Sequence, residues 1–160
     1  MLGQDSLATS KNRLLACLSA ADRDLLAPCL KPVQLKMRQR LEMPNQRIRA
    51  VYFVEHGLVS VVAIGGGDRG QTEAGVIGRE GMTGLALVLG SDRSVHDTFV
   101  QSEGAAHCIT AADLQGAIPL PSCHPATLCL CLQRFACAYG LGQRASFHRG
   151  ALGALAADGS

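Results

Sequence analysis

The chain predicts a mainly β fold flanked by helices, and three observations carry that expectation. Runs rich in β-branched and apolar residues recur at close intervals, over residues 50–54, 58–64, 72–77, 98–102 and 105–109. Glycine-dense or turn-forming stretches separate them, among them Gly65-Gly66-Gly67-Asp68 and the segment from Gly78 to Gly84. The flanking segments instead show helical periodicity behind capping residues. Many short strands between turn signals imply a closed or sandwiched β architecture.

Taken from the N-terminus, residues 12–18 and 20–30 are apolar-periodic and read as helices. Ser19 with Asp22 is an N-cap signal, because a side-chain oxygen there accepts from an N–H that has no partner within the helix. Val33, Leu35 and Met37 alternate with Gln34 and Lys36, as in a short strand with one apolar face. Pro44-Asn45-Gln46 is turn chemistry. Residues 50–54 and 58–64 read as separate strands; the second closes through the 65–68 loop onto residues 72–77 as a hairpin. Residues 85–89 are a short apolar run. Residues 98–102 and 105–109 read as a further hairpin, after which Thr110 and Asp113 cap a short helix to Ile118.

Pro119, Pro121 and Pro125 then fence off a connector. Residues 126–139, ATLCLCLQRFACAY, read as a helix apolar on most faces. Such a helix wants burial on two sides. The β domain covers one side and a second copy of the helix covers the other, so a homodimer is expected, with Leu128, Leu132, Phe135 and Tyr139 in the dimer helix. Beyond it, Gly140, Gly142, Gly150 and Gly153 each cost a helix about 1 kcal/mol relative to alanine. The expected division is a β domain with N-terminal helices over 1–124, a dimerisation helix over 125–139 and a flexible tail over 140–160.

Composition excludes several function classes. A chain of 160 residues suits one domain, and with 48% hydrophobic residues, 4% aromatics and no Trp its core is built from Leu, Val, Ile and Ala. The net charge of +2 gives no broad electrostatic footprint for nucleic acid. Residues 1–12 lack the apolar stretch of a secretory signal, and no apolar run reaches membrane-spanning length. A cytoplasmic protein without a membrane partner is expected. The 7 cysteines form no C-x-x-C pair and their odd number argues against a closed disulfide framework, so they are expected to be small buried hydrophobes. No metal site and no catalytic constellation stands out among His56, His96, His107, His124 and His148.

The stretch from Ile48 to Gly84, IRAVYFVEHGLVSVVAIGGGDRGQTEAGVIGREGMTG, followed by the apolar run 85–89, resembles the cyclic-nucleotide-binding fold. More specifically, the order of elements over about residues 12–139 is similar to the sensory domain of Crp/Fnr-type transcription regulators. The resemblance implies a double-stranded β-helix, or jelly roll, with a C-terminal dimerisation helix. It also implies a non-enzymatic function: a small-molecule effector binds in the roll and reorients the dimer helix, which controls a DNA reader. No helix-turn-helix pattern follows Tyr139, so DNA contact is expected only through a domain missing from this chain or through a partner.

In that family, ligand phosphate rests on backbone N–H groups at the start of a short helix, an arginine pairs with it, and a glutamate accepts from the ribose 2′-hydroxyl. The resemblance therefore implies Gly78, Glu80, Gly84, Leu85, Arg93 and Ser94 as ligand-binding residues. Leu85 stands where the family has its glutamate, and a leucine accepts no hydrogen bond. Cyclic AMP and cyclic GMP are for that reason not expected as tight ligands, and no cofactor is implied. The alternatives are a cupin-like metal-dependent enzyme, which would need ligands such as His96 and His107 brought together, and a ligand-free dimerisation module. Lys36, Arg38 and Arg40, with Arg47 and Arg49, read as a charged strand edge that blocks aggregation, DNA contact being the other use.

Overall fold

The computed structural model describes Leu7 and residues 9–64 and 70–117. Helix α1 (Arg13–Ala16), helix α2 (Ala20–Leu26) and a 3-10 turn (Ala27–Cys29) lead into strands β1 (Lys31–Leu35) and β2 (Arg40–Glu42). Strands β3 (Ala50–Ile64) and β4 (Gln71–Ile77), helix α3 (Leu85–Val88), strand β5 (His96–Thr110) and helix α4 (Ala111–Ala117) follow. Every strand pairing is antiparallel, in the order β1-β5-β3-β4, with β2 pairing near the start of β5.

Local chemistry sets the helix ends. The Ser19 hydroxyl accepts from the Asp22 N–H at 3.1 Å and donates to the Asp22 carboxylate at 2.8 Å. Thr110 and Asp113 repeat the arrangement at 3.1 and 2.7 Å. These are the caps the sequence predicts. The predicted helix over 20–30 instead stops at Leu26, because Pro28 has no N–H to continue the ladder and the chain tightens into a 3-10 turn. The predicted strand over 33–37 moves to Lys31–Leu35. Arg38 adopts a φ of 61° and donates its N–H to the Val100 carbonyl at 2.9 Å, which leaves Met37 outside the strand and 58% exposed. Asn45, at φ 61°, supplies the left-handed residue of the predicted Pro44-Asn45-Gln46 turn.

The largest correction concerns the long strands. Residues 98–102 and 105–109 form no hairpin; both belong to β5 and both pair with β3. Residues 50–54 and 58–64 are likewise one strand, and its ladder with β5 slips between Val54 and Val59. Gly57 lies in that slip with a φ of 90°. A Cβ on Gly104 would sit 1.9 Å from the His56 carbonyl oxygen, and one on Gly57 would sit 2.7 Å from that of Ser102. Backbone touches backbone here, so glycines that look like turn residues are the material of a bulged crossing. Two apolar clusters lie around it. One, including Leu15, Leu26, Phe53, Met82, Leu87 and Leu114, fastens the helices to the sheet. The other, including Leu35, Val54, Val59, Val61, Ile77 and Val100, fills the interior of the roll.

Asn12 locks the N-terminal helix in place. It is 0% exposed and caps α1 by accepting from the Leu14 and Leu15 N–H groups at 3.1 and 3.2 Å. Its amide nitrogen donates to the carbonyls of Val54 and Gly81, both at 2.8 Å. Alongside it, the Arg13 N–H donates to the Arg79 carbonyl at 2.7 Å.

The cysteines depart from the expected burial. Cys17, which ends α1, is exposed, while Cys29 and Cys108 are half-buried, and all three are free thiols. Short helix α1 turns only Leu14 and Leu15 inward, which leaves its C-terminal residue facing solvent. The predicted dimer helix with Leu128, Leu132, Phe135 and Tyr139, the connector before it and the tail after it lie outside the described residues.

Gly104→Ala is expected to destabilise the fold by about 3 kcal/mol, the upper end of overpacking costs, because the atom it meets is backbone and cannot rotate away; urea unfolding checks this. Asn12→Ala is expected to cost about 3 kcal/mol through the lost cap and the carbonyls left without a donor. Asn12→Asp keeps the cap acceptor but sets a carboxylate against two carbonyl oxygens. Its deficit in the same assay is expected to be larger at pH 7 than in acid, where the side chain is protonated.

Candidate functional site

The glycine-dense segment is held from both sides before it reaches α3. Behind it, Asn12 and Arg13 bind the Gly81 and Arg79 carbonyls. In front, the Thr83 N–H donates to the Tyr52 carbonyl at 3.0 Å and the Thr83 hydroxyl accepts from the Tyr52 N–H at 3.0 Å. Gly84 then turns at a φ of 73°, and a Cβ on it would lie 2.4 Å from the buried Val51 side chain. No other residue fits there without strain. Helix α3 leaves from that point with Leu87 buried beneath it and Leu85, Ala86 and then Leu89 directed to one side.

Between this segment and strands β3, β4 and β5 lies a cavity of about 290 Å³. Its walls are largely apolar, with Val61, Val76, Ile77, Met82, Leu85 and Val95 prominent. Glu42, Ser94, His96 and Thr98 add polar groups. Glu42 reaches in from β2 and accepts from the Gly84 N–H at 2.5 Å. Burial pushes its carboxyl above the ordinary carboxylate range, and hydrogen bonds from the Ser94 side chain and the Gly84 N–H pull it part of the way back. Burial holds the His96 imidazole below its ordinary value, which favours its neutral form. The Ser94 hydroxyl accepts from the His96 N–H at 3.2 Å and has the His96 carbonyl oxygen at 3.0 Å as an alternative acceptor for its single proton.

Of the residues the sequence singles out, Gly84, Leu85 and Ser94 line the cavity. Gly78, Glu80 and Arg93 do not. The Glu80 carboxylate folds back to accept from the Gly78 N–H at 2.9 Å. Arg93 is exposed and donates to the Asn45 carbonyl at 2.6 Å. Glu42, Met82, Thr83 and Thr98 are among the lining residues that sequence reasoning missed, and the sequence singles out His96 only as a candidate metal ligand. No local pattern marks Glu42, which becomes a neighbour of Gly84 only when β2 pairs with β5.

Two residues of the basic edge make ion pairs. Arg40 pairs with Asp97 and Arg47 with Asp92, each at 2.9 Å. Outside the cavity lining, the Glu55 carboxylate accepts from the Ser10 hydroxyl, from the Lys11 N–H at 2.7 Å, and lies 2.9 Å from His107 Nδ1. Burial alone would raise this carboxyl, but the bonds from Ser10, Lys11 and His107 together outweigh it and hold it below the ordinary value. Ser10 bonds to the carboxylate and not to the imidazole, so the group lacks the relay of an acyl-transfer triad. His96 and His107 stand at opposite ends of β5 with different partners. Among the described residues, no group of three or more His, Cys, Asp or Glu side chains is placed to hold a metal ion. Nor is any helix among them long and apolar enough to cross a membrane.

No family model matches the sequence, and no curated protein matches it. Solved structures do match. The regulatory subunit of a cAMP-independent protein kinase A from Trypanosoma brucei superposes with a TM-score of 0.69 at 15% identity, over 88% of this chain and 50% of that one. The c-di-GMP responsive global regulator CLP of Xanthomonas campestris gives 0.53 at 19% identity, over 77% and 56%. A cyclic nucleotide-binding-like protein from Brucella abortus gives 0.52 at 16% identity, over 72% and 96%. This chain spans about half the length of the kinase regulatory subunits it matches. Its fold is the mainly antiparallel jelly roll of cyclic-nucleotide-binding domains.

The raised Glu42 carboxyl makes the folded state bind its proton more readily than the unfolded chain does. Its favourable contribution is therefore full below the ordinary value of 4.5 and is lost as pH rises through the folded value. Glu42→Gln keeps an acceptor for the Gly84 N–H without the charge. The variant is expected to be more stable than wild type at pH 7, with the difference shrinking as pH falls through the folded value toward 4.5; urea unfolding at pH 7 and at about pH 4 measures it.

Proposed function

We propose that this domain senses a small molecule in the cavity beside α3, as the effector-binding part of a Crp/Fnr-type transcription regulator. One observation carries the reading: a largely apolar cavity of about 290 Å³ with a few convergent polar groups. That volume lies at the small end of ligand sites, about 300 to 1,000 Å³. The likeness to the CLP regulator supports a regulatory setting, and the kinase regulatory subunits support sensing by the same fold.

On this reading the effector signals through a homodimer whose contact is the 126–139 helix, and DNA is read by a further domain or by a partner. Signalling of this kind requires that the ligand bind one dimer geometry more tightly than the other. The protein works in the cytoplasm and catalyses no reaction.

A screen of small molecules read by methyl chemical shifts is expected to give ligands that perturb Val61, Ile77 and Leu85 together. Cyclic AMP and cyclic GMP are not expected to bind below micromolar concentration. A screen without a ligand at those methyls removes the sensing reading. Sedimentation is expected to show a dimer that the double substitution Leu132→Asp and Phe135→Asp converts to monomer; a wild-type monomer removes the dimer.

A further inference from the structure

Granted that the cavity binds a small molecule, we propose that it takes uncharged, mostly apolar ligands carrying one hydrogen-bond donor and rejects anions, with Glu42 as the specificity-determining residue. The N–H of Gly84, which an incoming anion would need, already carries the Glu42 carboxylate at 2.5 Å. An anionic ligand would have to displace that carboxylate or lie beside it in a partly desolvated space, where like charges repel strongly.

No countercharge offsets this. Among the described residues the lining holds no Lys or Arg. Three nearby arginines are turned elsewhere, Arg93 to the Asn45 carbonyl, Arg40 to Asp97 and Arg47 to Asp92, while Arg49 shares a neighbouring surface pocket with Glu42 and does not line the cavity. The remaining titratable group in the wall, His96, is held toward its neutral form by burial. With Glu42 ionised, the cavity presents one negative charge on an apolar background, and because burial raises that carboxyl above its ordinary value, a falling pH removes the charge.

That background fixes the rest of the ligand. Val61, Ile77, Met82 and Leu85 form continuous apolar wall, and Val95 at the rim is 66% exposed. Apolar ligand surface gains most by covering such groups. A carboxylate has more lone pairs than the Gly84 N–H and the Ser94 hydroxyl use, so Glu42 has an acceptor left for an O–H or N–H on the ligand.

A pair of fluorescent probes isolates the charge. N-phenyl-1-naphthylamine is uncharged, apolar and has one N–H; 8-anilinonaphthalene-1-sulfonate is the same framework with a sulfonate. Gly75→Leu serves as the location control, because Gly75 lines the cavity and a Cβ built on it meets nothing within 4 Å. Titration of the full chain is expected to show the neutral probe binding at least tenfold more tightly than the sulfonate. Glu42→Gln should bring the two within about threefold, mainly by strengthening the sulfonate, and Gly75→Leu should abolish binding of both. If the probes bind wild type equally, or if Glu42→Gln leaves their ratio unchanged, while Gly75→Leu still abolishes binding, the charge selection is wrong and the sensing reading stands. If neither probe binds, or binding survives Gly75→Leu, both are wrong.

Discussion

The buried amide of Asn12 is the interaction on which the geometry around the cavity depends. Its oxygen ends α1 and its nitrogen joins two carbonyls, of Val54 in β3 and Gly81 in the segment before α3. Three pieces of chain far apart in sequence meet at one fully buried side chain. Only asparagine among the good capping residues offers both an acceptor and a pair of donors in so small a side chain. With Gly81 fixed, Met82 and Thr83 run along β3, Gly84 turns over Val51, and α3 is delivered to the cavity wall.

The electrostatics of the cavity run opposite to what the resemblance to nucleotide-binding domains implies. Backbone geometry of the familiar kind is kept: a left-handed glycine opens a short helix, and its N–H points where an acceptor can reach it. The acceptor, however, is the protein's own carboxylate. An internal group that fills a donor is always at the correct distance and carries no translational entropy, so it competes well with any ligand for the same bond. The placement of Arg93 follows the same logic, since its guanidinium stabilises the 43–48 turn through Asn45 and has no anion to meet inside.

Elements whose cause is local were legible in the sequence. Ser19 with Asp22, Thr110 with Asp113 and the turn at Asn45 each declare themselves within a few residues. What escaped is decided at a distance. A glycine between apolar runs looks the same whether the chain reverses or two strands cross, and only the approach of Gly104 to His56 tells the second case from the first. Glu42 escaped for the same reason: it sits in a short strand, Arg40–Glu42, and acquires its meaning through Gly84. The resemblance to cyclic-nucleotide-binding domains singles out Gly84, Leu85 and Ser94, which line the cavity, and equally Gly78, Glu80 and Arg93, which do not.

Strand β5 has a consequence for the order in which the molecule can be assembled. It is the last described strand to be synthesised, yet β1, β2 and β3 all depend on it for their hydrogen bonds. Until residues 96–110 leave the ribosome, β3 and β4 are the only described strands that can pair as they do in the finished sheet. The emerging chain thus carries β1 and one edge of β3 without partners, with Val51, Val59 and Val61 uncovered, a state in which nascent β proteins depend on chaperones. Ala50 meets Thr110, and Lys31 meets Cys108, only across long stretches of chain, and pairings so distant in sequence slow folding.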